Sequence, residues 1–143
     1  MKDNVFFDTN VIVYLFDKSE DKKHNIAKTL FNEGLHKYNA FASVQVINEF
    51  IVIASQKIKK PLAISEIKKR VDFLGNMLNI MALEFATCTS ALDIKIKYSL
   101  SYWDSLIVAS ALKNDCKVLY TEDMQDGLII NEKLTVKNPF PNK

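Results

Sequence analysis

Apolar residues along this chain fall into short continuous clusters separated by stretches with helical spacing. Val5, Phe6 and Phe7 form an unbroken apolar run, which predicts a short strand over 5–7 buried on both faces. Asp8-Thr9-Asn10 then offers turn and N-cap chemistry, and the apolar stretch 11–16 continues as a short helix. Over 21–37, Ile26, Leu30, Phe31 and Leu35 recur at helical spacing among Lys22, Lys23, Lys28, Glu33 and Lys37, the pattern of an amphipathic helix. A second strand is predicted over 38–42. Ser43 caps the next helix, which runs to about Lys60 and stops before Pro61.

The same reading continues to the end of the chain. A helix starts at Ile64 or Ser65 and runs to about Met77, and a third strand covers 78–83. Helices follow from Thr87 to about Leu100 and, behind Ser101, from Tyr102 to about Asn114. A fourth strand spans 117–121, and the tail 128–136 holds at least one weaker strand, placed at 134–136. Short apolar strands alternating with helices predict a three-layer α/β/α sandwich on a short, mostly parallel sheet of four to five strands. Right-handed crossovers put the strand C-termini along one edge, where open sheets of this class bind ligands.

The bulk numbers change this picture little. At 143 residues the chain reads as a single domain, 1–143, large enough for a real core. With 48% hydrophobic and 25% charged residues, and only 3 Gly and 3 Pro, it is neither disordered nor loop-built. A net charge of +2 leaves nucleic-acid binding to a local patch. Cys88 and Cys116 lack metal spacing and read as buried free thiols of a reducing compartment. Asp3 and Asp8 interrupt any signal-like N-terminus and no apolar run spans a membrane, so a cytoplasmic location is expected.

Four acidic residues stand where folding alone would not put them. Asp8 ends the first apolar run, Glu49 sits within 46–54, Asp104 opens the apolar stretch 103–112, and Asp123 follows the fourth strand. Each has an ordinary explanation: Asp8 as an N-cap, Asp104 at capping-box spacing from Ser101, Asp123 in a polar turn. Glu49 differs: it lies in the second turn of its helix with apolar neighbours, too far along for a capping box, and its ordinary alternative is a salt bridge to a distant lysine. The topology brings all four toward one edge. Carboxylates embedded in core-like sequence are costly unless paired, protonated or bound to a cation. An Asp/Glu set without His fits Mg²⁺ or Mn²⁺ and phosphodiester hydrolysis; zinc would call for His or Cys, and His24 and His36 read as surface residues. Thr9, Asn10, Ser43, Ser105 and Thr121 are polar neighbours able to orient the acids.

The segments Phe7-Asp8-Thr9-Asn10-Val11, Ser43-Val44-Gln45-Val46-Ile47-Asn48-Glu49-Phe50, Tyr102-Trp103-Asp104-Ser105-Leu106-Ile107 and Leu119-Tyr120-Thr121-Glu122-Asp123, in that order, resemble the PIN domain. More narrowly, the chain resembles VapC-type toxins of bacterial type II toxin–antitoxin systems. The resemblance implies a Mg²⁺- or Mn²⁺-dependent endoribonuclease with an RNA substrate, usually a homodimer, held by a small antitoxin protein. It assigns catalysis and metal binding to Asp8, Glu49, Asp104 and Asp123, with Ser43 and Thr121 as the family's supporting hydroxyl residues. Asp126 competes with Asp123 as the fourth acid. The alternative is a stand-alone or non-catalytic PIN-like nucleic-acid-binding module. A phosphatase of the haloacid dehalogenase type wants a second Asp two residues after its nucleophile, and Asn10 stands there. Lys57, Lys59, Lys60, Lys68, Lys69 and Arg70 (the only arginine) gather around Pro61 as an RNA-contacting patch or, in the plainer reading, a solvated helical face. Tyr102 and Trp103 could stack an unpaired base, but beside a helix start they read as core or dimer-interface residues and are left outside the site.

Overall fold

The computed structural model describes residues 1–141. Its order is β1 (Asn4–Phe7), α1 (Thr9–Phe16), α2 (Asp21–Lys37), β2 (Asn39–Ser43), α3 (Val44–Gln56), α4 (Ile64–Met77), β3 (Asn79–Met81), α5 (Phe85–Tyr98), α6 (Tyr102–Lys113), β4 (Cys116–Tyr120), β5 (Ile129–Ile130) and β6 (Leu134–Lys137). The sheet has six strands in the order β3-β2-β1-β4-β6-β5. Every pairing is parallel except β5 with β6. The mostly parallel α/β/α architecture is the expected one. The strand count exceeds the expected four to five because β5 is only two residues long, below the length at which an apolar run signals a strand.

Chain direction explains the layers. From β1 the sheet grows outward through β2 to β3, then returns past β1 to β4 and β6. Right-handed crossovers therefore set α1–α4 on one face and α5–α6 on the other. Contacts agree: α1 packs with α2 and α3, α3 with α4, and α5 with α6. The reversal of strand order falls between β1 and β4, and the ends of those two strands frame a crevice at the C-terminal edge. There the Asp8 N–H bonds the Tyr120 carbonyl at 3.0 Å.

The core is built around Phe6, Phe7, Ile12, Phe50, Leu74 and Leu119, all fully buried. Phe7 packs between Phe31 and Tyr120, with ring centroids 6.0 and 5.9 Å away. This fixes the last residue of β1 and with it the start point of Asp8. α6 is buried from Ser105 to Ala111, under α5. Two helices end differently from expectation. α3 stops at Gln56, where Lys57 and Ile58 both donate to the Ile53 carbonyl and close the helix; residues 57–60 form the turn before Pro61. α5 begins at Phe85, two residues before Thr87. Cys88 and Cys116 are free thiols, and burial pushes the Cys116 thiol up to about 12. No helix among the described residues is long and apolar enough to cross a membrane.

Candidate functional site

Asp8 is the first residue beyond β1 and the N-cap of α1. Both its oxygens are engaged. Oδ1 accepts the Thr9 N–H at 2.7 Å and Oδ2 accepts the Thr121 hydroxyl at 2.8 Å. The residue is 4% exposed. Burial pushes its pKa up to about 7 against the pull of the Thr9 amide and Thr121 hydroxyl, and the negative charges of Asp123 and Glu49 raise it further.

Thr121, the first residue after β4, joins the acids from below. Its hydroxyl donates to Asp8 and accepts from Asn10 Nδ2 at 3.2 Å and from the Asp123 N–H at 3.1 Å. Its donor and both acceptor sites are thus used. Asn10, in the first turn of α1, holds the loop that carries Asp123. Its Nδ2 donates to Asp123 Oδ2 at 3.1 Å and its Oδ1 accepts the Glu122 N–H at 3.3 Å.

Glu49 comes from the facing helix α3. Oε1 accepts the Thr9 hydroxyl, and Oε2 accepts Gln45 Nε2 at 3.2 Å. Gln45, 5% exposed, also donates to the Trp103 carbonyl at 3.2 Å, while its Oε1 has no partner among the described residues. One buried amide thus ties α3 to the start of α6. Asp104 lies in the first turn of α6, behind the N-cap Ser101, whose Oγ accepts the Asp104 N–H at 3.1 Å. Partial burial raises the Asp104 pKa, the Asp123 charge adds to it, Ser101 lowers it and the Glu49 charge raises it again.

The four acids and Thr9 and Asn10 line one pocket of about 610 Å³. Other expected members lie behind it. Ser43 caps α3 by accepting the Val46 N–H at 3.5 Å, and the Ser105 hydroxyl returns to the Ser101 carbonyl at 2.8 Å. Asp126 is elsewhere, its Oδ1 accepting the Asn138 N–H at 2.9 Å, so Asp123 is the acid of this loop that faces the pocket. Glu122 turns to the far side, pairing with Lys23 at 2.9 Å and accepting the Tyr14 hydroxyl at 2.6 Å.

Two further residues line the pocket: Trp103, which the sequence reading left outside the site, and Lys57, which it placed only in the basic patch around Pro61. Trp103 is 62% exposed, neither core nor covered within the chain. The signal for Lys57 was present: Gln45, Glu49, Ile53 and Lys57 repeat every four residues along α3 and share one face. The rest of the basic cluster follows the plainer reading. Lys68 pairs with Asp72, Lys69 and Arg70 with Glu66, all along α4.

None of the four acids has a lysine, arginine or histidine partner among the described residues. Their mutual charge raises two of the pKa values. This all-oxygen donor set fits a hard divalent cation. Among the described residues no three or more His, Cys, Asp or Glu side chains stand close enough together to hold a metal ion as they are placed.

The sequence matches the PIN domain family over residues 5–125. No curated protein sequence matches it. Solved structures do. A toxin–antitoxin complex from Klebsiella pneumoniae aligns with a TM-score of 0.70 at 20% identity, covering 95% of this chain and 98% of that one. The Mycobacterium tuberculosis sarcin–ricin-loop-cleaving toxin VapC20 gives 0.66 at 16% identity, covering 83% and 89%. VapBC2 from Rickettsia felis, bound to a promoter DNA fragment, gives 0.62 at 19% identity, covering 94% and 98%. At these identities the likeness is one of fold, and the family match rests on the sequence itself: with 5–125 matched, this chain belongs to the PIN domain family.

Proposed function

We propose that the chain is a Mg²⁺- or Mn²⁺-dependent endoribonuclease, acting as the toxin of a toxin–antitoxin pair. The observation that carries this reading is the meeting of Asp8, Glu49, Asp104 and Asp123 at the sheet's switch point with no ion-pair partner among the described residues. In this proposal Asp8, Glu49 and Asp104 hold the cation directly or through water, and Asp123 completes the pocket. The bound cation supplies Lewis-acid charge to a phosphodiester and to the water that attacks it. The chain's own groups do the positioning. Thr121 and the Thr9 amide aim the two oxygens of Asp8, Thr9 and Gln45 aim those of Glu49, and Asn10 holds Asp123.

The toxin role draws support from the similar folds, which include a toxin–antitoxin complex from Klebsiella pneumoniae, VapBC2 from Rickettsia felis and a sarcin–ricin-loop-cleaving toxin from Mycobacterium tuberculosis. The partners proposed for this chain are RNA, a small antitoxin protein and a second copy of itself.

Asp8→Asn tests the reading. It keeps the side chain's shape and removes the charge that the cation needs. Cleavage of RNA in Mg²⁺ or Mn²⁺ is expected to fall by at least about 1000-fold, with circular dichroism and melting behaviour preserved. An undiminished rate in a preparation free of other nucleases overturns it. The wide spacing of the acids favours one competitor, a PIN-like binding module without chemistry. Calorimetry separates the two: the nuclease binds Mn²⁺ weakly but measurably, and the module does not.

A further inference from the structure

The pocket is not uniformly acidic. Gln45, Glu49 and Ile53 of α3, with Lys57 at its C-cap, line one side of the pocket. At 1.5 Å per residue, Lys57 lies about 12 Å along the axis from Glu49. Lys57 is exposed and has no ion-pair partner among the described residues. Val13, Val52 and Ile53 provide apolar wall between the acids and this lysine. Across from α3 stands Trp103, 62% exposed and immediately before Asp104.

An exposed indole usually swings freely. This one is anchored on two sides. Its carbonyl accepts Gln45 Nε2 at 3.2 Å, which locks the backbone to α3, and its ring packs edge-on against Tyr102 with centroids 5.4 Å apart. A large, flat, anchored aromatic surface therefore faces the groove beside the acids, with a free ammonium farther along. Aromatic planes and cations in that order match the two features every unpaired nucleotide presents, a base with a π-face and a charged phosphate.

We propose that Trp103 and Lys57 form a subsite for single-stranded nucleic acid: Trp103 stacks an unpaired base next to the cleaved bond, and Lys57 holds a phosphate farther along the same strand. This rests on the nuclease reading of the acids and adds how the strand is held. The stack favours unpaired over duplex RNA, because a base in a helix has both faces covered. It gives little choice among the four bases, since each has a π-face.

Trp103 is the only tryptophan in the chain, so its emission reports on this position alone. The test uses the full chain carrying Asp8→Asn, which does not cleave, in Mg²⁺. A short oligoadenylate RNA is expected to quench the emission saturably, and an abasic ribose-phosphate strand of equal length is expected to leave it unchanged. Trp103→Ala, followed by anisotropy of a labelled strand, weakens binding by about tenfold, while Trp103→Phe retains most of it. Lys57→Ala lowers affinity, reduces the slope of log K against log salt by about 0.7, and preserves the full quench at saturation. Binding without quenching, or equal binding by Trp103→Ala, overturns the subsite. Emission that changes with protein concentration alone, unaffected by RNA, overturns it in favour of a second copy covering Trp103. If the unsubstituted chain cleaves RNA while Trp103 stays silent, only the subsite falls. If there is neither cleavage nor binding, the nuclease reading falls with it.

Discussion

Asp8 carries the strongest electrostatic tension in the molecule. Its pKa, ordinarily near 4, is pushed up to about 7, first by burial and then by two other acids. The folded protein therefore keeps a proton there that the unfolded chain releases between pH about 4 and 7. Without a divalent cation, stability is greatest below that window and falls as pH rises through it, by up to about 4 kcal/mol. Above about pH 7 it levels off. A cation bound to the ionised acids reverses the sign, since it stabilises the folded state most where Asp8 is deprotonated. Melting temperatures recorded from pH 4.5 to 8 in chelator and in Mg²⁺ are expected to diverge as pH rises. Parallel curves would mean that Asp8 ionises freely and holds no cation. The burial of Asp8 was legible in the sequence, because an Asp closing an apolar run sits at the end of a buried strand. Trp103 was not legible. Its apolar neighbours at 106–111 are buried, and only the helix's direction of approach leaves its own ring outside.

At the scale of elements, β1 and α2 form the mechanical support of the site. Phe7 lies directly before Asp8, and its ring is confined by Phe31 and Tyr120. Gly34 of α2 gives that ring its room: a Cβ there would stand 2.6 Å from Phe7 Cζ and 3.6 Å from Ala40 Cβ. Gly34→Ala ordinarily gains helix propensity, by about 1 kcal/mol. Here the clash with a ring that cannot move aside outweighs it, and a net loss of roughly 1–3 kcal/mol is expected in denaturant melts. Gly75→Ala, where nothing lies within 4 Å, is the control and should stabilise. The helices with clear period were legible nearly to the residue, and α2 (Asp21–Lys37) lies where its apolar spacing put it. The misses have local causes. α3 ends early because its last carbonyls are taken up by the turn at Lys57 and Ile58. Its later lysines could not continue into Pro61, since a residue before proline is driven out of helical geometry. β5 owes its existence to the antiparallel pairing of Ile129 and Ile130 with Thr135 and Leu134 across a tight turn, and two residues are too few to show a strand period.

At the scale of the whole molecule, the site and the association surface have separate origins. The site follows from topology: reversal of strand order between β1 and β4 opens one crevice, and the acids sit on the elements that border it. That convergence was legible, because alternating strands and helices leave few other arrangements. An outward face is different, since nothing in a periodic pattern says whether a solvent-side apolar residue is covered. α5 has such a face. Phe85, Leu92 and Ile96 are 84%, 50% and 82% exposed, and their spacing of seven and four residues aligns them in one stripe. Isolated apolar side chains on a surface are ordinary, whereas an aligned row on one helix marks a contact surface. If the proposed homodimer forms through this face, the second copy would cover the stripe with its own identical row. Ile96→Glu places a charge in its middle and, with Ile96 82% exposed in the single chain, leaves the fold's own core untouched. Sedimentation should then show the unsubstituted chain as a dimer and Ile96→Glu as a monomer with an unchanged melting profile at low concentration. A dimer that survives the substitution would locate self-association elsewhere, and the rim beside Trp103 would be the next surface to alter.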